Sequence, residues 1–146
     1  MPRIMLALVL ASLPALTAAA PVSGTSIEAA CYAACEAQTQ SNVEYKACLG
    51  HAAEAADARL NEAYGALKAA VRGWAKEMGQ SPDGVLGSLT GAQKRWIAYR
   101  DANCTFEDEL AFGGTATGGN QAACLCALSL ERAADFARIR RQLLPE

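Results

Sequence analysis

"GAQKRWIAYRDANC" (residues 91–104) gathers a glutamine, a tryptophan, an arginine and a cysteine in a chain otherwise rich in alanine and small residues. Helical residues advance by about 100° each, so Gln93, Trp96, Arg100 and Cys104 fall within roughly 80° of one another. Upstream, "DARLNEAY" (57–64) sets Asp57, Leu60, Asn61 and Tyr64 in a stripe about 100° wide. Between them, "GQSPDG" (79–84) holds a proline and two glycines and breaks the helix. A hairpin turning near residue 81 brings Asp57 and Asn61 level with residues 100–105. Asp57 or Asn61 then meets Arg100, with Tyr64 and Trp96 packed one turn nearer the loop. Such a strip reads either as a charged pocket or as a polar cluster that fixes helix register. The second reading is favoured, because small residues let helices approach closely but specify their alignment poorly.

The flanking sequence is helical throughout. "SIEAACYAACEAQ" (26–38) has a capping serine and an alanine-rich helical pattern. Ser41 and Glu44 form a capping box for a second helix. Its apolar positions, from Cys48 through Ala56, Leu60 and Leu67 to Val71 and Trp74, keep a three- or four-residue step to about Met78, with Gly50 as a weak point. A third helix is expected from about Val85 to Ala111, with Leu86, Leu89, Trp96 and Ile97 among its apolar residues. "GGTATGGN" (113–120) ends it, and a fourth runs from about Gln121 to Leu144, its buried side marked by Leu125, Leu128, Phe136, Ile139 and Leu143. Strand-like alternation, repeats and linkers are absent from the sequence. The expected fold is all-α: a disulfide-linked antiparallel hairpin or bundle of three long helices plus a short N-terminal one.

The chain has 146 residues, 52% of them hydrophobic, which suits one compact domain. Its first 20 residues read as a secretory signal peptide: Arg3, an apolar run from Ile4 to Leu16, and a small-residue tail with cleavage between Ala18 and Pro21. The run is too short for a comfortable membrane span of about 20 residues. The expectation is one exported domain over 21–146, periplasmic or secreted and not membrane-anchored after cleavage. Without Arg3 the balance is 12 basic against 15 acidic residues, a net charge of −3. No basic stripe with interleaved aromatics speaks for nucleic acid.

Six cysteines, an even number in an exported domain, read as three disulfides, and the sequence alone does not choose among the possible pairings. Cys31, Cys35, Cys124 and Cys126 could instead bind a soft metal or act as redox thiols, a weaker reading in an oxidising compartment. His51 stands alone in the sequence, so serine and threonine lack a His–Asp partnership. The loop glycines have neither the strand nor the lysine of a phosphate cradle. Glu107, Asp108 and Glu109 are consecutive and point in different directions, which suits a solvated face or an acidic contact patch better than acid–base work. No enzyme and no cofactor is expected.

Taken together, the Cys35–Cys48 spacing, "DARLNEAY", "AQKRWIAYRDANC", Gly113-Gly114, Cys124 and Arg132 resemble the LprI-type lysozyme-inhibitor family, over about residues 31–140. The run from Gln93 to Cys104 is the most specific part. Cys31 and Cys126 are additions to the family's usual four cysteines, Ser129 stands where threonine is usual, and the lipobox of some members is missing. The resemblance implies bridges Cys35–Cys48 and Cys104–Cys124, with the added pair Cys31–Cys126 joining the first and last helices. It makes Asp57, Asn61, Tyr64, Gln93, Trp96, Arg100 and Arg132 structural motif residues. It also implies a protein partner, a lysozyme-type muramidase whose cleft the domain occludes, with Glu107, Asp108 and Glu109 as contact candidates. The rival expectation is an envelope structural or stress-related module with a different protein or cell-wall partner.

Overall fold

The computed structural model describes residues 27–144, so the expected leader and its cleavage site lie outside the described residues. Four helices follow one another: α1 (Ile27–Glu36), α2 (Asn42–Glu77), α3 (Asp83–Glu109) and α4 (Gly119–Leu143), with no strand among the described residues. The fold is all-α, three long helices and a short first one.

Local chemistry sets the boundaries. The Ser41 hydroxyl accepts the Glu44 N–H at 3.2 Å, and the Glu44 carboxylate reaches back to the Gln40 N–H at 3.1 Å. Hydrogen bonding to the carboxylate, from the Gln40 N–H foremost and then from the Ser41 side chain, holds the Glu44 carboxyl below its ordinary pKa. From this cap α2 runs unbroken through Gly50 for 36 residues, about 54 Å at 1.5 Å per residue. It stops where Gly79 takes φ 64°. Gln80 donates to the Ala75 carbonyl at 2.8 Å and Gly79 to that of Lys76 at 3.2 Å, a Schellman closure. The third helix starts at Asp83, two residues before the expected Val85, because Pro82 (φ −79°) is already in helical conformation and the Ser81 hydroxyl accepts the Asp83 N–H. It also ends earlier than expected, at Glu109.

α3 runs antiparallel to α2, and α4 returns parallel to α2. The contacts order themselves accordingly: Gly119 lies by Leu49, Cys126 by Ala56, and Phe136 among Leu60, Leu67 and Val71. The expected α2–α3 hairpin is therefore opened by α4, which packs extensively on α2 and carries most of the contacts of α3. Two differences in burial follow. Leu49 is fully buried beside the Cys35–Cys48 bridge, whereas Trp74 and Ile97 lie on the exposed side of their helices. In α2 the inward stripe near its end passes through Val71 and Ala75, leaving Trp74 on the shoulder.

The interior has two characters. The half toward the α2–α3 turn is apolar, built on Leu60, Leu67, Val71 and Phe136 with Leu86, Leu89 and Trp96 against them. Burying the Phe136 ring contributes about 2–3 kcal/mol relative to exposure. At the other end the buried residues apart from Leu49 are small, with Ala56 and Ala123 beside sulfur, and there the chain is cross-linked. Bridges Cys31–Cys126, Cys35–Cys48 and Cys104–Cys124 tie α1 to α4, α1 to α2 and α3 to α4. These are the pairs implied by the resemblance. All six sulfurs, including the four considered as a soft-metal set, lie in these bridges. No described helix is long and apolar enough to cross a membrane.

Candidate functional site

The two stripes read from the sequence meet across the middle of the bundle. Arg100 Nη1 donates to Asp57 Oδ1 at 2.7 Å and to the buried Ser129 hydroxyl at 3.0 Å. Its Nε and Nη2 both reach Asp101 Oδ1 at 2.9 Å. The Arg100 side chain is only 12% exposed, but that of Asp57 is 47% exposed, so the pair is half-solvated rather than buried. Burial would lower the Arg100 pKa, and the hydrogen bonds and charges of Asp57 and Asp101 outweigh it and raise the value. Asn61 does not contact Arg100: on the exposed side of α2 it donates to Asp57 Oδ2 at 2.9 Å, orienting the carboxylate.

Two guanidinium groups lie over Trp96, with the Arg100 carbon 5.4 Å and the Arg132 carbon 5.6 Å from its ring centroid. Arg132 also stacks at 4.5 Å over Phe136 and donates to the buried Gln93 side chain at 3.3 Å. Tyr64 leans on Phe136 with centroids 5.6 Å apart, and its hydroxyl shares a 3.1 Å hydrogen bond with Thr90. Gln93, Trp96, Arg100 and Arg132 thus form one polar–aromatic clasp between α3 and α4, and Asp57 ties it to α2. A groove of about 350 Å³ opens beside it, lined by Ala53, Glu54, Asp57, Arg100, Leu125 and Ser129. Of its lining residues, Arg100 is bonded to Asp57 and Ser129, and outside the groove to Asp101. The arrangement links α2, α3 and α4 through side chains. His51 sits elsewhere, exposed on α2 and 3.5 Å from Glu54, and among the described residues no group of three potential ligands could hold a metal.

The acidic turn after Cys104 divides into separate tasks. Asp108 Oδ1 accepts the Gly118 N–H at 2.6 Å and the Gln121 N–H at 3.2 Å, capping α4 and closing the glycine loop. Glu107 accepts the Asn103 side chain at 2.7 Å, and Glu109 is exposed. The loop is also fastened to α2, where the Asn42 side chain donates to the Thr115 carbonyl at 3.2 Å. Tyr32 and Tyr45 line a groove of about 270 Å³ between α1, α2 and this loop. Burial, and after it the charge of Glu28, raises the Tyr32 pKa, with Glu107 and Asp108 adding to the effect. Burial and Glu36 do the same for Tyr45. The carboxylates of α1 and of the last turn of α3 therefore converge at one end of the molecule.

The positions of Ser129 and Arg132 against the clasp could not be read from α2 and α3 alone, because they depend on the register of α4. The exposed apolar residues near the acidic turn were missed as well. Their signal was present in the helical spacing of Tyr99, Phe106 and Leu110, on the face away from Cys104.

Comparison with known proteins places these features in context. The family model described as "Lysozyme inhibitor LprI" matches residues 23–136, which include the clasp and all six cysteines. An uncharacterized protein of Rhizobium meliloti (strain 1021) is 33% identical over 99 residues, covering 66% of this chain and 71% of the relative. No solved structure matches.

Proposed function

The chain belongs to the LprI lysozyme inhibitor family, and from that premise we propose that it is an exported binding protein that inhibits lysozyme-type muramidases by covering their cleft. The family match over residues 23–136 carries this reading. Three disulfides that fasten the small-residue end support an extracytoplasmic site of action, where such bridges persist. The charged clasp is engaged internally, which supports a role as binding protein rather than enzyme. The leader at residues 1–20 is part of the proposal, delivering the domain over 21–146 to the periplasm or the exterior.

The experiment is lysozyme-driven lysis of bacterial cell walls, followed by turbidity, with the purified oxidised domain added. Inhibition at micromolar protein or below is expected. Unchanged lysis across a panel of chicken-type, goose-type and invertebrate-type lysozymes would remove the proposal.

A further inference from the structure

The acidic end of the molecule carries an apolar surface that its own fold does not use. Tyr99, Phe106 and Leu110 are at offsets 0, 7 and 11 on α3 and so share one stripe. Each is more than half exposed. Just past the helix, Phe112 is 91% exposed and has φ 48°. A phenylalanine enters this left-handed region only at a steric cost, and helix ends usually give it to glycine. Here Gly113 follows with φ 74° but does not take Phe112's place. The ring therefore gains little burial from the fold while its backbone is held in an unfavourable conformation.

The platform beneath it is fixed. The Cys104–Cys124 bridge closes the base of the loop, Asp108 bonds its far side, and Asn42 ties its crest to α2. A surface held in this way loses little conformational freedom on binding.

Charge is divided along the bundle. Segments 27–57 and 100–129 form the disulfide-linked end and carry nine acidic residues against Lys46 and Arg100. Arg100 is already engaged by Asp57 and Asp101. Segments 58–99 and 130–144 carry five acidic and ten basic residues. A whole-chain formal charge of only −2 therefore conceals an acidic end bearing the exposed aromatic residues and a basic end opposite.

Resting on the inhibitor reading, we infer that the acidic end is the docking surface for a cationic muramidase. Phe106, Leu110 and Phe112 form its apolar anchor, and Glu107 and Glu109 face basic side chains around the enzyme's cleft. Charge complementarity selects this partner, and an exposed aromatic centre with a charged rim is the usual anatomy of such a contact.

The test compares four oxidised proteins in the lysis assay with a basic chicken-type lysozyme, each also measured for direct binding by calorimetry. They are the wild type, Phe106→Ala/Phe112→Ala, Glu107→Lys/Glu109→Lys, and the opposite-end control Arg138→Glu/Arg141→Glu. Circular dichroism and thermal melting establish that each is folded. Both acidic-end variants are expected to lose at least about tenfold in affinity and inhibition, as hot-spot residues do, with the control within about twofold of wild type. Folded acidic-end variants that bind and inhibit like the wild type overturn the inference and leave the inhibitor reading standing. A wild type that binds without inhibiting, through residues lost in those variants, overturns the inhibitor reading and keeps the surface. A wild type that neither binds nor inhibits overturns both for this enzyme.

Discussion

Arg100 shows how much depends on one side chain at the centre of the bundle. Its guanidinium satisfies the buried Ser129 hydroxyl, pairs with two carboxylates and covers one face of Trp96. Arg100→Ala is expected to lower stability by about 2 kcal/mol, mostly from the hydroxyl left without its donor and the lost packing of the side-chain stem. The ion pair itself contributes less, because Asp57 is half-exposed. A double-mutant cycle of Asp57→Asn with Arg100→Ala in urea should give a coupling of about 1 kcal/mol or less. A coupling of 3 kcal/mol, the order expected for breaking a buried pair, would show that solvent screens Asp57 less than its exposure indicates. The pairing was legible in the sequence, since helical offsets and one turn position suffice to bring residue 57 opposite residue 100. The half-solvated state of Asp57 was not, because it depends on how α4 fills the space between the two helices. Phe112 poses the reverse case, a residue whose conformation works against stability. Phe112→Gly should preserve stability or raise it by up to about 1 kcal/mol, the order of the left-handed penalty relieved, while weakening lysozyme binding. A stability loss above 1 kcal/mol in thermal melts would mean that the ring supports the fold.

Among the elements, α4 is the helix on which the others are assembled, and two of the three bridges end on it. The helices themselves could be read from capping and periodicity, with starts and stops shifted by at most about two residues at the end of α1, the α2–α3 turn, the end of α3 and the start of α4. Their arrangement could not, since periodicity identifies a buried face without saying which helix covers it. The prediction at this scale concerns the bridges. Cys31 and Cys126 are 95 residues apart and Cys104 and Cys124 are 20 apart. Loop entropy gives about 3 kcal/mol for the shorter closure. The other bridges already shorten the long loop, so Cys31→Ala/Cys126→Ala should cost about 4 kcal/mol rather than the full entropic value. Urea unfolding of the two double variants, under conditions that keep the remaining bridges oxidised, should rank them in that order. The reverse ranking would show that native packing near Cys104, rather than restriction of the unfolded chain, sets the contribution of these bridges.

At the scale of the molecule, net charge is a poor guide to what a partner encounters. The sequence shows a nearly neutral chain, and only the folded arrangement gathers nine acidic residues at the disulfide-linked end while leaving ten of the twelve described basic residues toward the other. A cationic enzyme approaching such a molecule is oriented before contact, which raises the association rate and acts little on dissociation. The Debye length falls from about 30 Å at 0.01 M salt to about 3 Å at 1 M. The association rate of the wild type with a basic lysozyme should therefore fall by about tenfold or more between these limits, with dissociation nearly constant. Glu107→Lys/Glu109→Lys should flatten this dependence, whereas Phe112→Ala should keep the slope and speed dissociation, since an anchoring ring acts after encounter. Surface plasmon resonance across a salt series reads both rates separately. A salt-independent association rate, or the same slope in the charge-reversed variant, would mean that the acidic end does not guide the approach and that the exposed rings alone select the partner.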